Sequence, residues 1–419
     1  MPHTSLAFLA ELHAERLADS TWPNADPELP GEQAFVDTAQ TLGEQPLIRA
    51  ALPDIIQQGD LEPVVRQLAV YVGLLGEDVA YKTQLLGSIY QHETPLDITP
   101  GLAWLTGDAH DQALTLLAQQ TSPVALETLA ERCIARGQES VHLSAFLVQG
   151  APRYTGGYAD QLFARVAAPP LIYLLQQRFA QTEDTAIKCA IAHALLHCHD
   201  TDALAWLCST EGILADAATV FAVLGKPRES DLEACFRAEQ SALDDTLLSA
   251  IADNLEYYGS PWSFNALQNA GDLATEPAVA AAFHRLMLNF FDTQHEPLFP
   301  GVLLLEETEQ QKPHYQRRVN RFWTQQRAYV NQTMRPHRYL RHEFFDLSDL
   351  LRRYRHSEEQ HYPLADLIRR IEWWTGLCHA FDPYALYSAQ QQQLATIQAQ
   401  VDALRLESGQ WYRWGKVSA

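Results

Sequence analysis

The sequence is poor in lysine and in long apolar runs, and both shortages restrict what the chain can be. Only five of the 30 Lys and Arg residues are lysines, so arginine, which suits forked pairs with carboxylates, carries most of the positive charge. The longest apolar stretches, Val64–Leu75 and Ile213–Leu224, are too short and interrupted to span a bilayer of about 30 Å. The first residues do not form a basic segment followed by an apolar one. We therefore expect no secretory signal and a cytoplasmic protein.

Several chemical motifs are also missing from the sequence. The six cysteines, at positions 133, 189, 198, 208, 235 and 378, show no C-x-x-C spacing. In a chain without a secretory signal, this predicts reduced and mostly buried thiols. The sequence contains no H-E-x-x-H zinc motif, no Gly-x-Ser-x-Gly elbow and no phosphate-binding glycine loop. The sequence therefore predicts no catalytic residue, no cofactor and no enzymatic activity.

Acidic residues, in contrast, are abundant and unevenly distributed. The net charge of the chain is −22. Residues 1–300 hold 39 acidic and 14 basic side chains, a balance of −25, whereas residues 301–419 hold 13 and 16, a balance of +3. An acidic body of this size repels nucleic acid and anionic membranes and attracts basic proteins. We therefore expect a basic protein partner and no membrane partner, and nucleic acid is disfavoured.

Helical spacing of apolar residues dominates the whole chain. Val64, Leu68, Val72 and Leu75 share one helical face, and Gly76 closes that segment. Many short segments of this kind, joined by short loops, predict an all-α fold, either an α-solenoid or an irregular bundle. A modest internal repeat at an offset of 60 residues favours the solenoid. It aligns Asp184, Ile187, Ala190, Ile191, Ala192, Leu195 and Leu207 with Asp244, Leu247, Ala250, Ile251, Ala252, Leu255 and Leu267.

The middle of the chain resembles HEAT-type helical repeats. Ala190–Gly225 has the pattern of that class, a helix, a turn at His199-Asp200 and a second helix. The resemblance implies an α-solenoid of HEAT-like helix pairs with a helical C-terminal domain. It suggests three regions: an N-terminal helical cap (1–60), acidic HEAT-like repeats (61–300) and a C-terminal region rich in arginine and aromatic residues (301–419).

The last half of the chain also distantly resembles the HEAT-repeat proteins encoded beside type VI secretion genes. That family has a Trp-containing helix, an Arg-Tyr-Leu segment, a leucine-rich helix and a region ending near a Gln-rich helix. The matching residues here are Trp323, Arg338-Tyr339-Leu340, Leu347, Leu350, Leu351, Phe381 and Gln390–Gln393. The resemblance implies an association with contact-dependent bacterial antagonism, but no particular biochemical role.

One cluster could bind a metal ion. Cys189, His193 and His197 are spaced i, i+4 and i+8, so one helix face would present all three. A thiolate and neutral imidazoles are zinc ligands. However, zinc motifs commonly gather their ligands from two segments, and Cys and His on an alanine-rich face are more often core residues. The sequence therefore predicts no metal, with these three residues as the weak candidates.

The stretch 312–370 interleaves arginines with aromatic residues. Such a mixture can stack bases and bind phosphates, but it can equally join the C-terminal region to the acidic body through ion pairs. We favour docking, because the first 300 residues would repel nucleic acid. The predicted docking residues, for a partner or between domains, are Arg317, Arg321, Trp323, Arg338, Arg352 and Arg353.

These observations lead to one functional hypothesis and one alternative. The hypothesis is a protein-binding scaffold for a basic partner, in concrete form an immunity or accessory protein of a bacterial secretion or toxin locus. The alternative is a metal-dependent or nucleic-acid-processing enzyme built on helical repeats. Sequence alone does not identify the partner, the binding surface or the oligomeric state.

Overall fold

The computed structural model describes residues 2–19, 30–91, 95–120, 122–137, 157–166, 169–223, 328, 337–340, 343–355 and 364–417. These residues form 16 helices and two antiparallel pairs of two-residue strands, so the prediction of an all-α fold is confirmed. Within these ranges, no helix is both long enough and apolar enough to cross a membrane. The predicted repeat partner of Asp184–Leu207, which is Asp244–Leu267, lies outside the described residues.

The helices of the first part of the chain are α1 Pro2–Asp19, α2 Pro30–Gly43, α3 Pro46–Gln57, α4 Pro63–Leu75, α5 Val79–Tyr90, α6 Thr99–Ala103, α7 Gly107–Leu117 and α8 Pro123–Arg136. They are followed by α9 Tyr158–Val166, α10 Pro169–Gln181, α11 Thr185–Leu196, α12 Thr201–Leu207 and α13 Thr210–Val223. The C-terminal part contains β1 Tyr339–Leu340, β2 Glu343–Phe344, α14 Leu347–Arg355, α15 Leu364–Thr375, α16 Tyr387–Leu404, β3 Tyr412–Arg413 and β4 Lys416–Val417.

Local sequence signals set many of these helix ends. Proline opens α3, α4 and α8, at a position where its missing N–H has no helical partner to lose. Asp78, Asp184 and Asp200 precede α5, α11 and α12, and the carboxylate of each accepts backbone N–H bonds from the first turn. Gly137 ends α8 in the left-handed conformation, with φ of 65°. Helix boundaries here follow from residues adjacent in the chain.

The described structure divides into two compact units that are both discontinuous in sequence. Unit 1 comprises residues 1–177, 351–368 and 378–399, and unit 2 comprises residues 178–350, 369–377 and 400–419. The core of unit 1 contains a group of packed rings in which Phe35 stacks on Tyr71 with centroids 5.6 Å apart. Trp104 meets both rings edge-on, at 5.7 Å each. Offset and edge-to-face contacts of this kind stabilise a core beyond simple burial.

A buried ion pair holds the 378–399 segment within unit 1. Arg132 on α8 forms a forked pair with Asp382, and both side chains are fully buried. Arg136, one turn further along α8, lies 3.8 Å from the same carboxylate and donates to the carbonyl oxygens of Ala103 and Leu105. A second buried carboxylate, that of Glu32, accepts backbone N–H bonds at the start of α16. The buried carboxylates of Asp382 and Glu32 therefore join the 378–399 segment to residues that lie 250 and 355 positions earlier in the chain.

In unit 2, the end of α15 pairs with the C-terminal hairpin. The backbone N–H groups of Trp414 and Gly415 donate to the carbonyl oxygens of Trp373 and Trp374, each at 2.8 Å. Gly415 has φ of 73°, and a Cβ there would lie 2.6 Å from the Thr375 carbonyl oxygen. Glycine is therefore required at this turn, both for its conformation and for the close approach of the backbone.

The fold predicts that removing one partner of the buried pair is costly. In Arg132→Met, Asp382 remains buried without its main counter-charge, so we expect a loss of about 3–5 kcal/mol in the free energy of unfolding. Arg49→Met is the control, because Arg49 is half-exposed and its pair with Asp78 should contribute less than about 1 kcal/mol. Urea unfolding of both variants measures the difference. The double variant Arg132→Met/Asp382→Asn should lose less than the sum of the two single variants, and equal losses for Arg132→Met and Arg49→Met would contradict the assignment.

Candidate functional site

Cys189, His193 and Asp216 in unit 2 bring their side chains to one point. Cys189 and His193 are four residues apart on α11, so they lie one turn apart on the same face. The Asp184 carboxylate fixes the start of this helix by accepting the N–H groups of Ala186 and Ile187. Helices α12 and α13 both pack against α11. The third member of the cluster comes from α13.

Asp216 reaches the cluster at a break in its helix. Its backbone, with φ of −157° and ψ of 74°, is not helical, so α13 consists of two helical segments joined at this residue. The first segment is anchored by a close approach, since a Cβ at Gly212 would collide with the backbone of Trp206 and Leu207. The chain therefore enters α13 tightly packed against the end of α12, and it leaves helical geometry where the carboxylate meets α11.

The three candidate ligand atoms are close together and partly shielded from water. The Cys189 Sγ lies 3.6 Å from His193 Nε2, and Asp216 Oδ2 lies 3.2 Å from the same nitrogen. All three ligand atoms fall within 4.8 Å of one another. Cys189 is 7 % exposed, and the side chains of His193 and Asp216 are 12 % and 27 % exposed. Burial raises the pKa of Cys189 to about 12, and the negative charge of the nearby Asp216 carboxylate adds to this effect. The thiol is therefore protonated at neutral pH when no cation is bound.

The structure places His197, the third residue of the predicted cluster, elsewhere. Its Nε2 lies 3.9 Å from the Glu372 carboxylate, and both side chains are almost fully buried. The rings of His193 and His197 both lie near Trp373, at centroid distances of 5.5 and 6.1 Å. Eight residues of helix rotate by about 80° beyond two full turns, which explains why positions i and i+8 do not share a face as closely as i and i+4. Asp216, which the sequence analysis missed, takes the third position.

Of the predicted docking residues, Arg338 is buried inside unit 2. Its guanidinium lies over the rings of Phe345, Trp374 and Trp411, with centroid distances of 3.9, 4.7 and 5.3 Å. Only 3 % of the residue is exposed. These contacts are cation–π interactions in a desolvated setting, where they are strongest. Arg338 therefore contributes to the core of unit 2.

The other docking residues divide into two groups. Arg352 is exposed and Arg353 is half-buried, both on α14. Arg317, Arg321 and Trp323 lie outside the described residues. The docking role of all these residues stays a prediction.

Two titratable side chains with shifted pKa values, His110 and Glu131, lie near the buried ion pair of unit 1. Burial, aided by Arg136 and Arg132, lowers the pKa of His110 to about 4. Burial raises the pKa of Glu131 to about 7, although the charge of Arg132 and a hydrogen bond from the Thr99 hydroxyl oppose this effect. Shifted pKa values occur both at catalytic sites and in structural ion-pair networks. Because these groups surround an ion pair that is fully buried, we interpret them as structural.

A small cleft in unit 2 is lined by acidic side chains that already have partners. It lies between the start of α14, the end of α16 and the loop that follows α16. The Asp346 carboxylate accepts a hydrogen bond from the Ser408 hydroxyl at 2.6 Å, and the Asp402 carboxylate accepts one from Ser348. These bonds hold the cleft walls together, so the carboxylates act as structural links between the segments.

In residues 2–166, the N-terminal part of unit 1, the exposed charge that the structure describes is of one sign. Among described side chains of residues 2–166, no Lys or Arg is exposed. Arg49, Arg66, Arg136 and Arg165 are half-buried, and Lys82 and Arg132 are buried. Twelve carboxylates in the same range are exposed: Glu11, Glu15, Asp37, Glu44, Asp54, Asp60, Glu62, Glu77, Asp78, Asp97, Asp108 and Asp111.

Five of these carboxylates lie on helix ends that meet, and we call them the acidic rim: Glu44, Glu77, Asp78, Asp108 and Asp111. The ends of α2 and α4 meet closely, because a Cβ on Gly43 would lie 3.5 Å from the Cβ of Leu75. Arg49 of α3 reaches Asp78, at 3.6 Å, before α5. Lys82 in the first turn of α5 donates to Gln112 in the second turn of α7, which connects these two helices. These contacts connect the helices that carry or flank the five carboxylates.

Comparison of the chain with protein-family models, with curated proteins and with solved structures gives no match.

The cluster around Arg132 predicts two opposing effects of pH on stability. The pKa of His110 is about 4 in the folded chain against 6.5 ordinarily, so its contribution to stability is lost as pH falls from 6.5 to 4. The pKa of Glu131 is about 7 against 4.5, so its contribution is lost as pH rises from 4.5 to 7. Each effect is of the order of 3 kcal/mol, and the two should largely cancel in the wild-type protein.

Two substitutions separate these effects. Relative to wild type, Glu131→Gln should become more stable as pH rises from 4.5 to 7, because the opposing group is removed. His110→Gln should become relatively more stable as pH falls from 6.5 to 4. Urea unfolding at a series of pH values measures both profiles. Stability differences that change with pH in the same direction for the two variants would disprove the assignment.

The position of Arg338 predicts a loss of stability on its removal. Arg338→Gln should reduce the free energy of unfolding by about 2 kcal/mol or more, because the desolvated cation–π contacts are lost. Arg352→Gln is the matched control, since Arg352 is exposed on α14 and should change stability by less than about 0.5 kcal/mol. Thermal and urea unfolding measure both variants. Indistinguishable midpoints would mean that the aromatic cage does not stabilise unit 2.

Proposed function

We propose that this protein is a scaffold that binds a basic protein through the acidic surface of unit 1. The observation that supports the proposal is the separation of charge in residues 2–166, where twelve carboxylates are exposed and none of the described Arg and Lys side chains is. A surface with one sign of charge attracts an oppositely charged partner over a distance and accelerates its encounter. The same surface repels nucleic acid, because the phosphate backbone is also negative.

The acidic rim is the part of this surface best suited to bind a partner. Its carboxylates come from four helices that pack on one another, so their positions are fixed by the core. The two cations beneath them are Arg49, whose side chain is 25 % exposed, and Lys82, which is 2 % exposed. A basic side chain of a partner would therefore meet carboxylates first. Because the helices are already packed, binding would not have to order the backbone that carries these carboxylates, which favours affinity.

A solenoid of HEAT-like helix pairs is the scaffold architecture that we propose for the chain. Unit 1 is consistent with it, because its helices are short, follow one another closely and pack against neighbours in sequence, as in α1 with α2 and α3 with α4. The resemblance to proteins encoded beside type VI secretion genes gives the proposal a concrete form. In that form, the protein is an immunity or accessory protein whose acidic surface covers a basic toxin or a basic secreted cargo.

Neutralising part of the rim tests this proposal. The rim variant is Glu44→Gln/Glu77→Gln/Asp108→Asn, which leaves Asp78 and Asp111 in place because they contact Arg49 and His110. The control variant, Glu183→Gln/Asp202→Asn/Glu407→Gln, removes the same charge from exposed positions in unit 2. Each protein is immobilised and exposed to a lysate of its native cells, and the captured proteins are identified with their isoelectric points.

We expect wild type and the control to capture basic proteins, and the rim variant to bind them about tenfold more weakly, which corresponds to about 0.5 kcal/mol per charge. Capture should also fall as salt rises from about 0.05 to about 0.5 M, because the Debye length shortens roughly threefold. Equal capture by the rim and control variants, or capture that ignores salt, would refute the role of the rim. A gel shift with RNA or DNA at physiological salt tests the nucleic-acid alternative directly.

A further inference from the structure

We propose that Cys189, His193 and Asp216 of unit 2 form a zinc-binding site. The site is independent of the acidic rim, which consists of residues of unit 1. Three kinds of observation support it: the distances between the ligand atoms, the hydrogen-bonding capacity of the His193 ring and the balance of charge.

Two of the three distances between the ligand atoms match the edges of a tetrahedron around zinc, and the third, from sulfur to carboxylate oxygen, is within 4.8 Å. With Zn–S of about 2.3 Å and Zn–N of about 2.05 Å, a tetrahedral ion separates sulfur from nitrogen by about 3.6 Å. The distance between Cys189 Sγ and His193 Nε2 is 3.6 Å. The same geometry separates a nitrogen from a carboxylate oxygen by about 3.3 Å. The distance between His193 Nε2 and Asp216 Oδ2 is 3.2 Å.

A cation satisfies this arrangement better than a proton does. The thiol and the carboxylate both face the same ring nitrogen, Nε2 of His193. That nitrogen either carries a proton and donates it to the Asp216 carboxylate, or lacks a proton and accepts from the Cys189 thiol. It cannot do both. A metal ion in the centre instead accepts an electron pair from the sulfur, the nitrogen and the oxygen at the same time.

Charge balance makes the site compatible with its partly buried position. A thiolate and a carboxylate together neutralise the two positive charges of a zinc ion, so no net charge is buried. As the sulfur–zinc bond forms, the thiol releases its proton to the solvent. Asp216, the most exposed of the three side chains at 27 %, provides a route to solvent.

The set of donors favours zinc over Ca²⁺ and Mg²⁺. Ca²⁺ and Mg²⁺ prefer oxygen ligands, whereas one sulfur, one nitrogen and one oxygen suit a borderline-soft ion with tetrahedral preference. Three protein ligands leave one coordination position for a water molecule or a further side chain. Three ligands plus water is the arrangement that catalytic zinc sites have, whereas structural sites commonly take four protein ligands.

Cobalt substitution in the full-length protein tests the site. Tag-free protein is treated with a chelator, dialysed and titrated with Co²⁺, which reports a thiolate ligand through a near-ultraviolet charge-transfer band and tetrahedral geometry through intense visible bands. Zn²⁺ is then added as a competitor. We expect one equivalent of Co²⁺ to bind with both spectral features, and one equivalent of Zn²⁺ to abolish them.

The variants identify the ligands. Cys189→Ser should lose the charge-transfer band, and His193→Ala should weaken metal binding by more than about 100-fold, because even partners that only orient ligands contribute roughly 10–100-fold. Asp216→Asn removes a half-exposed carboxylate and should weaken binding while the far-ultraviolet circular dichroism stays unchanged. Cys198→Ser is the matched control, since Cys198 lies just beyond the end of α11 and should not affect binding.

Three results would overturn the proposal. The first is wild-type protein that binds no stoichiometric Co²⁺ or Zn²⁺. The second is a charge-transfer band that remains in Cys189→Ser or disappears equally in Cys198→Ser. The third is an Asp216→Asn protein that is folded and binds the metal with unchanged affinity. If the rim variant lost partner capture but still bound the metal, the zinc proposal would be unaffected.

Discussion

The forked pair between Arg132 and Asp382 is the constraint on which unit 1 depends. The two residues are separated by 250 positions, and both side chains are completely buried. A charge buried in this way is strongly unfavourable without its partner, so the chain around Asp382 must reach α8 before the core can close. Arg136 extends the constraint to the carbonyl oxygens of Ala103 and Leu105, at the end of α6 and just after it. A segment near the C-terminus is thus a structural element of a unit that begins at the N-terminus.

Internal contacts of this kind also help to explain why the described surface of residues 2–166 is acidic. Arg132 and Arg136 hold Asp382 in the core, Arg66 donates to the carbonyl oxygen of Ile56, and Lys82 donates to Gln112. Each of these cations is occupied by an internal contact instead of facing solvent. Among the described residues 2–166, the excess of carboxylates is therefore larger at the surface than in the composition. Folding thus places many of the positive side chains in internal contacts and leaves many of the carboxylates exposed, a separation that the composition alone does not show.

The helices could be predicted from the sequence, because their signals are local. Periodic apolar residues, proline at first positions and aspartates before first turns act over a few residues, and Val64–Leu75 with Gly76 is seen as α4 with its cap. The partner of Arg132 could not be predicted, because nothing near Asp382 distinguishes it from other acids. The two discontinuous units were likewise hidden, since they depend on contacts between distant segments. The predicted regions 1–60, 61–300 and 301–419 stay an interpretation of composition.

In the candidate metal site, too, the sequence predicts the contact within one helix but not the residue that a second helix contributes. The i, i+4 relation of Cys189 and His193 is a property of any helix, so the sequence predicts that these two side chains share one face. Asp216 lies in a segment with the apolar spacing of an ordinary helix, and the sequence gives no sign that the backbone breaks there.

That break is also what distinguishes this cluster from chance groupings of histidine and carboxylate in an acidic chain with 16 histidines. A surface carboxylate can move away from an imidazole at little cost. Here, the tight approach at Gly212 fixes the start of α13, and the departure from helical geometry at Asp216 places its carboxylate against His193 Nε2. A cluster held by backbone packing in this way is preorganised before any ion binds, which is the property that separates a binding site from a coincidence of composition.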